Sequence, residues 1–168
     1  LQQLPDILTA PLSAMEISLA YIIGGTVRGT VNGILVMLLG VVLIDMPVHQ
    51  PLATIGFIVM VSWAFASMGL VLGQLSDSWD QLAMMQNFFL TPLSFLGGVF
   101  YSVNMLPDWA QKLSYFNPIY YMINGIRFTI LGIADSPPMT SFTMALIMTI
   151  FFTLSAIILM HSGRKIKQ

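Results

Sequence analysis

Residues 52–75 run for 24 positions without a charged side chain. As an α-helix this run covers roughly 36 Å at ~1.5 Å per residue, enough to cross a hydrocarbon core of ~30 Å. A second charge-free run, residues 139–160, is rich in Met, Ile and Phe, with Thr140 and Ser141 placed to cap its start. An ordinary water-soluble domain is excluded. The composition agrees: 57% of the residues are hydrophobic and 8% charged, against about 25% charged in soluble domains.

Two further runs qualify as spans. Residues 22–44 are apolar apart from Arg28 and Asn32, and Arg28 lies near enough to the first end to snorkel towards lipid headgroups. Residues 82–106 lack charge but contain Gln86, Asn87, Thr91 and Pro92, polar and kinking content that lipid alone penalises. Their polar side is expected to face protein or a pathway. The expected fold class is therefore all-α, a polytopic transmembrane helical bundle of four spans. Arg164, Lys165 and Lys167 directly follow the last span and place the C-terminus in the cytoplasm. An even number of spans returns the N-terminus there too. Lys112 and Arg127 fall on the opposite side and weigh against this, though less than the terminal cluster does.

Gly25, Gly29 and Gly33 recur at four-residue spacing, and Gly69 and Gly73 repeat it, so close helix approach is expected at both places. Packing within one subunit and contact with a second copy both satisfy that pattern. The 13 methionines are gap-fillers of an apolar interior.

Residues 104–138 stay apolar and aromatic although the topology puts them outside the membrane. Leu106, Trp109, Ala110, Leu113 and Phe116 stand at helical spacing, which predicts a short amphipathic helix beginning near Pro107 and Asp108. Asn117 before Pro118 is a helix start signal and Gly132 a stop, so residues 118–131 form a second helix. Fourteen residues give about 21 Å, too short to cross, so this helix dips in and returns or lies in the interface. A shallow or water-lined position also spares Arg127 a cost on the order of 3 kcal/mol at mid-bilayer. A lid with Tyr115, Tyr120 and Tyr121 in the aromatic belt and a role in a pathway fit the periodicity equally.

Ahead of the first span, Leu4, Ile7, Leu8, Leu12, Met15, Ile17 and Leu19 are broken by Pro5 and Pro11, which reads as short helix, break, helix. Ser13 with Glu16 three residues on matches a capping box, and Asp6 just after Pro5 favours a helix N-terminus. An interfacial approach to the span and contact with a soluble partner are both open. Leu1 is not an initiator Met and no basic n-region precedes an apolar core, so the chain is expected to be truncated, without a signal peptide.

Several chemistries find no residues. The formal charge is −1, which offers no basic field for nucleic acid, and the absence of cysteine removes thiol catalysis and Cys-type zinc sites. No phosphate-cradling Gly-rich Walker pattern occurs. His49 and His161 have no local metal-ligand spacing and are expected to be solvated. Asp45, Asp77 and Asp80 sit at span ends.

The run TPLSFLGGVFYSVNMLPDWAQKLSYFNPIYYMINGIRF, residues 91–128, closely resembles the signature region of the ABC-2 family of bacterial ABC-transporter permeases. LPDILTAPLSAMEISLAYIIGGTVRG, residues 4–29, resembles the same family's segment between its second and third spans. The resemblance implies a six-span fold with both termini cytoplasmic, of which residues 1–168 hold spans three to six as a partial transmembrane domain, without the first two spans and the N-terminal interfacial helix. It implies a permease in the bacterial inner membrane, surrounded by lipid and working as a homodimer. A separate ABC ATPase subunit would bind ATP and Mg, with no cofactor on this chain, and the cargo would be an exported amphipathic, drug-like or glycan-like solute. The coupling helix would lie around Asp6 to Ser13, with Pro11, Leu12 and Glu16 contributing. Residues 107–131 would be the paired re-entrant helices, and Asn87, Pro92, Gly97, Gly98, Tyr101, Asn117, Tyr121 and Arg127 would form the pathway and its outer gate. Three rivals remain: an ion-coupled secondary carrier, which needs a buried titratable residue; a non-transport membrane anchor for an ATPase; and an intramembrane enzyme, for which no span carries an acid, histidine or serine cluster.

Overall fold

A computed structural model describes residues 13–162. All regular structure among the described residues is helical: α1 Ala14–Ile44, α2 Pro51–Leu75, α3 Trp79–Met85, a π-helix Gln86–Leu90, α4 Thr91–Leu96, a 3-10 turn Val103–Met105, α5 Asp108–Phe116, α6 Pro118–Leu131 and α7 Pro138–His161. Helices α1, α2 and α7 are each long and apolar enough to cross a membrane. The fourth expected span differs. Its helical part covers Trp79–Leu96, with a π-turn in the middle, and the chain leaves it at Gly97. The all-α membrane bundle stands.

Helix α1 starts earlier than residue 22 because Ser13 caps it with the expected box. The Glu16 N–H donates to Ser13 Oγ at 3.2 Å, and the Ser13 N–H donates to Glu16 Oε2 at 2.7 Å. Helix α7 does not use Thr140 or Ser141 as its cap. It begins after Pro137, with Pro138 in the first turn, where a missing N–H costs nothing. Ser141 is buried one turn in and accepts a hydrogen bond from Asn124 instead.

The core formed by α1, α2 and α7 inverts the soluble pattern. Ser18, Thr54, Ser67, Ser141, Ala145 and Ala156 are fully buried, whereas Val36, Val42, Leu43, Phe151 and Ile158 are exposed. Where the surroundings are themselves apolar, helices associate through close packing and hydrogen bonds rather than by hiding large side chains. A Cβ at Gly25, Gly29 or Gly33 would come within 2.8–2.9 Å of Ala66, Ser62 or Ile58, so these glycines seat α1 on α2 within the chain. Gly69 and Gly73 face open space. Several buried hydroxyls bond back to the preceding turn, as in Thr26 to the Ile22 carbonyl, or across helices, as in Thr153 Oγ1 accepting from Trp63 Nε1 at 3.0 Å, whereas Ser18 Oγ has no hydrogen-bond partner.

Helices α5 and α6 form a hairpin that dips into the bundle. At its shallow end the His49 and Gln50 N–H groups donate to the Ile130 and Thr129 carbonyls at 2.8 and 2.9 Å. At its deep end Ile119 shares a small cavity with Ala64 and Met148, both near the middle of their helices. Asn117 caps α6, its side chain accepting from the Ile119 N–H, and Gly132 ends α6 at φ 72°, both as the sequence predicts. Helix α5 is turned differently from its expected face. Ala110 and Ser114 are buried, whereas Trp109, Leu113 and Phe116 are exposed. Small residues permit the close approach, and Ser114 Oγ donates to the Leu96 carbonyl at 2.8 Å. Tyr120 also departs from the expected belt: it is 1% exposed, its ring edge-on to Tyr115 and Tyr121 at 5.5 and 5.0 Å.

Candidate functional site

No residue of the Trp79–Leu96 helix is buried, which sets it apart from every long helix of the bundle. Its break has a local cause. Pro92 has no N–H and its ring crowds the turn before it, and the ladder widens ahead of it, with the Thr91 N–H bonding to the Gln86 carbonyl five residues back. The widened turn places Gln86, Asn87, Thr91, Ser94 and Phe95 along one open groove of about 450 Å³. Asn87 therefore stands where the sequence predicts a polar face, while Pro92 is exposed on the same helix and shapes it without lining the groove.

The other expected gate residues serve as joints. Asn117, 3% exposed, donates from Nδ2 to the Leu93 carbonyl and so ties the deep turn of the hairpin to α4. Gly97 leaves room for Ile123, whose Cδ1 would lie 2.8 Å from an added Cβ. Gly98 adopts φ 80°, open to glycine at little cost, and turns its carbonyl towards Arg127. Tyr121 is half-buried and donates its hydroxyl to the Tyr115 carbonyl at 3.0 Å.

Arg127 is the centre of the shallow end. Its Nη2 donates to the carbonyls of Gly98 and, at 3.3 Å, Tyr101, and its Nη1 pairs with Asp135 Oδ2 at 2.9 Å. Asp135, its side chain 7% exposed, also accepts from Ser102 Oγ at 2.8 Å, the Val103 N–H at 3.1 Å and Asn104 Nδ2 at 3.4 Å. The Asp135 N–H donates to Asn124 Oδ1 at 2.7 Å, and Asn124 Nδ2 donates to Ser136 and Ser141 at 2.9 Å each. Arg127, Gly98 and Tyr101 thus meet as the sequence reading groups them, whereas Asp135, Asn124 and Ser102 are absent from it. One signal could have found Asp135. A guanidinium near the membrane needs a counter-charge, and Asp135 is the nearest acid in sequence, eight residues on.

Asp6, Pro11 and Leu12 lie outside the described residues. Ser13 and Glu16 are exposed at the opposite end of the bundle, where the Ser13 N–H and hydroxyl both donate to Glu16 Oε2 at 2.7 Å.

The family model for ABC-2 type transporters matches residues 4–131. The chain belongs to the ABC-2 transporter family. It is 35% identical over 166 residues to the inner membrane transport permease YadH of Escherichia coli K12, covering 99% of this chain and 65% of that protein. It is 39% identical over 70 residues to nodulation protein J of Sinorhizobium fredii, covering 42% of this chain and 27% of that protein. The chain thus spans about two-thirds of the length of its YadH relative. No solved structure gives a significant match. Family membership accords with three apolar helices long enough to span, and the chain is a multi-pass membrane protein. Asp135 lies outside the family-matched residues, although it pairs with an arginine inside them.

Proposed function

We propose that the chain is the C-terminal part of a permease subunit of an ABC transporter, spans three to six of the transmembrane domain, in a bacterial inner membrane with both ends cytoplasmic. The observation that carries this reading is the groove on Trp79–Leu96. Gln86 and Asn87 are exposed on a helix set among membrane-spanning ones. Each unsatisfied polar group in hydrocarbon costs on the order of several kcal/mol, so that face suits a hydrated path between two copies of the permease better than lipid. The cargo is an amphipathic, drug-like or glycan-like solute moved outward. Asp6, Pro11, Leu12, Ser13 and Glu16 dock on a separate ATPase subunit, which holds ATP and Mg. An ion-coupled carrier is less well supported, because the buried carboxylate of Asp135 is already taken up by Arg127 and three other donors.

Co-purification of the full-length permease with its candidate ATPase, followed by ATPase assays in lipid, tests this. A stable complex is expected, with ATPase stimulation lost on Asp6→Lys and Glu16→Lys together. No complex with any ATPase, or stimulation untouched by both reversals, would overturn the reading.

A further inference from the structure

The Trp79–Leu96 helix has no buried residue, so the polar links between it, the segment that follows it and the bundle carry more of its placement. At the far end of the groove the chain continues through residues 97–104, and there the attachments converge on one carboxylate. Asp135 receives Ser102, Val103 and Asn104 from that segment and Arg127 from α6, while Arg127 takes the Gly98 and Tyr101 carbonyls of the same segment. Asp135 is itself fixed to the core. Its N–H is held by Asn124, 1% exposed, which is bonded in turn to Ser141 at the start of α7. Other links, Ser114 to the Leu96 carbonyl, Asn117 to the Leu93 carbonyl and Ser76 Oγ to Met85 Sδ at 3.7 Å, are neutral hydrogen bonds. Hydrogen bonds to charged groups are roughly twice as strong as neutral ones, and here four donors meet on one anion.

We propose that Asp135 is the positioning residue for the groove-bearing helix: through Arg127 and the 102–104 backbone it clasps the 97–104 segment to α6, and loss of its carboxylate frees that segment while the α1–α2–α7 core stays closed. The clasp gives the polar helix a charged attachment beside its neutral ones. This rests on the proposed permease function only in calling the groove a pathway. The clasp itself is independent of transport.

Val103 reports on it, because it is 0% exposed and its link to Asp135 runs through the backbone N–H, which Val103→Cys preserves. Ala145, 0% exposed in the core beside Phe57 and Met122, is the control. These residues contain no cysteine, so single reporters are readable. The full-length protein, with any other cysteine changed to Ser, is placed in lipid nanodiscs and labelled with a water-soluble maleimide, without ATPase or solute. Asp135→Ala is expected to raise the labelling rate at V103C on the order of tenfold by favouring local opening. Asp135→Asn, which keeps one of the two acceptor oxygens, should raise it less, and A145C should stay unreactive throughout. Adding Arg127→Gln to Asp135→Ala should raise labelling further, because Arg127 still donates to the Gly98 and Tyr101 carbonyls of the segment once the carboxylate is gone. Labelling of V103C within twofold of the parent would overturn the clasp. A parallel rise at A145C would overturn it too, by making Asp135 a support of the whole bundle. Either outcome leaves the permease reading to its own ATPase test.

Discussion

The α1–α2–α7 core and the Trp79–Leu96 helix belong to one apolar chain, yet they are held by opposite means. The core is joined along its length by glycines, small residues and hydroxyls that satisfy themselves on the preceding turn. The broken helix has no buried residue and is fastened by a few polar contacts, most of them near one end, of which the Arg127–Asp135 pair is an ion pair. Continuous close packing distributes its stabilisation over many small contacts, so no single change opens it. Attachment at one end concentrates stabilisation in a few groups. A segment held that way is suited to moving as a unit, because local opening draws on the regions with fewest buried contacts.

The comparison is open to attack at three points. The largest effect is expected where the hairpin meets the core. A Cβ on Gly125 would overlap the Phe57 ring, so Gly125→Leu should destabilise the full-length protein by about 3 kcal/mol through overpacking. Thermal unfolding in detergent reads this, and an unchanged midpoint would mean that the hairpin is not seated on α2. A smaller effect is expected within the core. Thr153→Val removes the acceptor for Trp63 Nε1 and the hydroxyl partner of Ser67, at about 1 kcal/mol, typical of an interhelical hydrogen bond in a membrane protein. If the variant matched the parent, the core would rest on packing alone. The smallest effect is expected at Gly69, where nothing lies within reach of an added Cβ. Gly69→Leu should change stability by less than about 0.5 kcal/mol. A large loss there would reveal a partner surface on that face of α2.

Much of this was legible in the residues. The capping box at Ser13 and Glu16, the start at Asn117 and Pro118 and the stop at Gly132 depend on groups within a few positions of one another, and each is found as expected. The polar content at Gln86, Asn87 and Thr91 marked the face that lines the groove, though not the π-turn that Pro92 accompanies. Periodicity misplaced the buried face of α5 because it ranks positions by hydrophobicity. Here Ala110 and Ser114 go inward and Trp109 outward, because small residues let α5 approach its neighbours closely enough for Ser114 to reach the Leu96 carbonyl.

The sequence by itself determined that the chain is a helical membrane protein of the ABC-2 family, and where most of its helices begin and end, because span length, apolar runs and caps are local properties. Only the tertiary structure decided which glycines pack, which face of the hairpin turns inward and that Arg127 is matched by Asp135. Those outcomes depend on which helices approach within bonding distance, and a carboxylate eight residues from an arginine becomes its partner only when the turn after α6 brings it back.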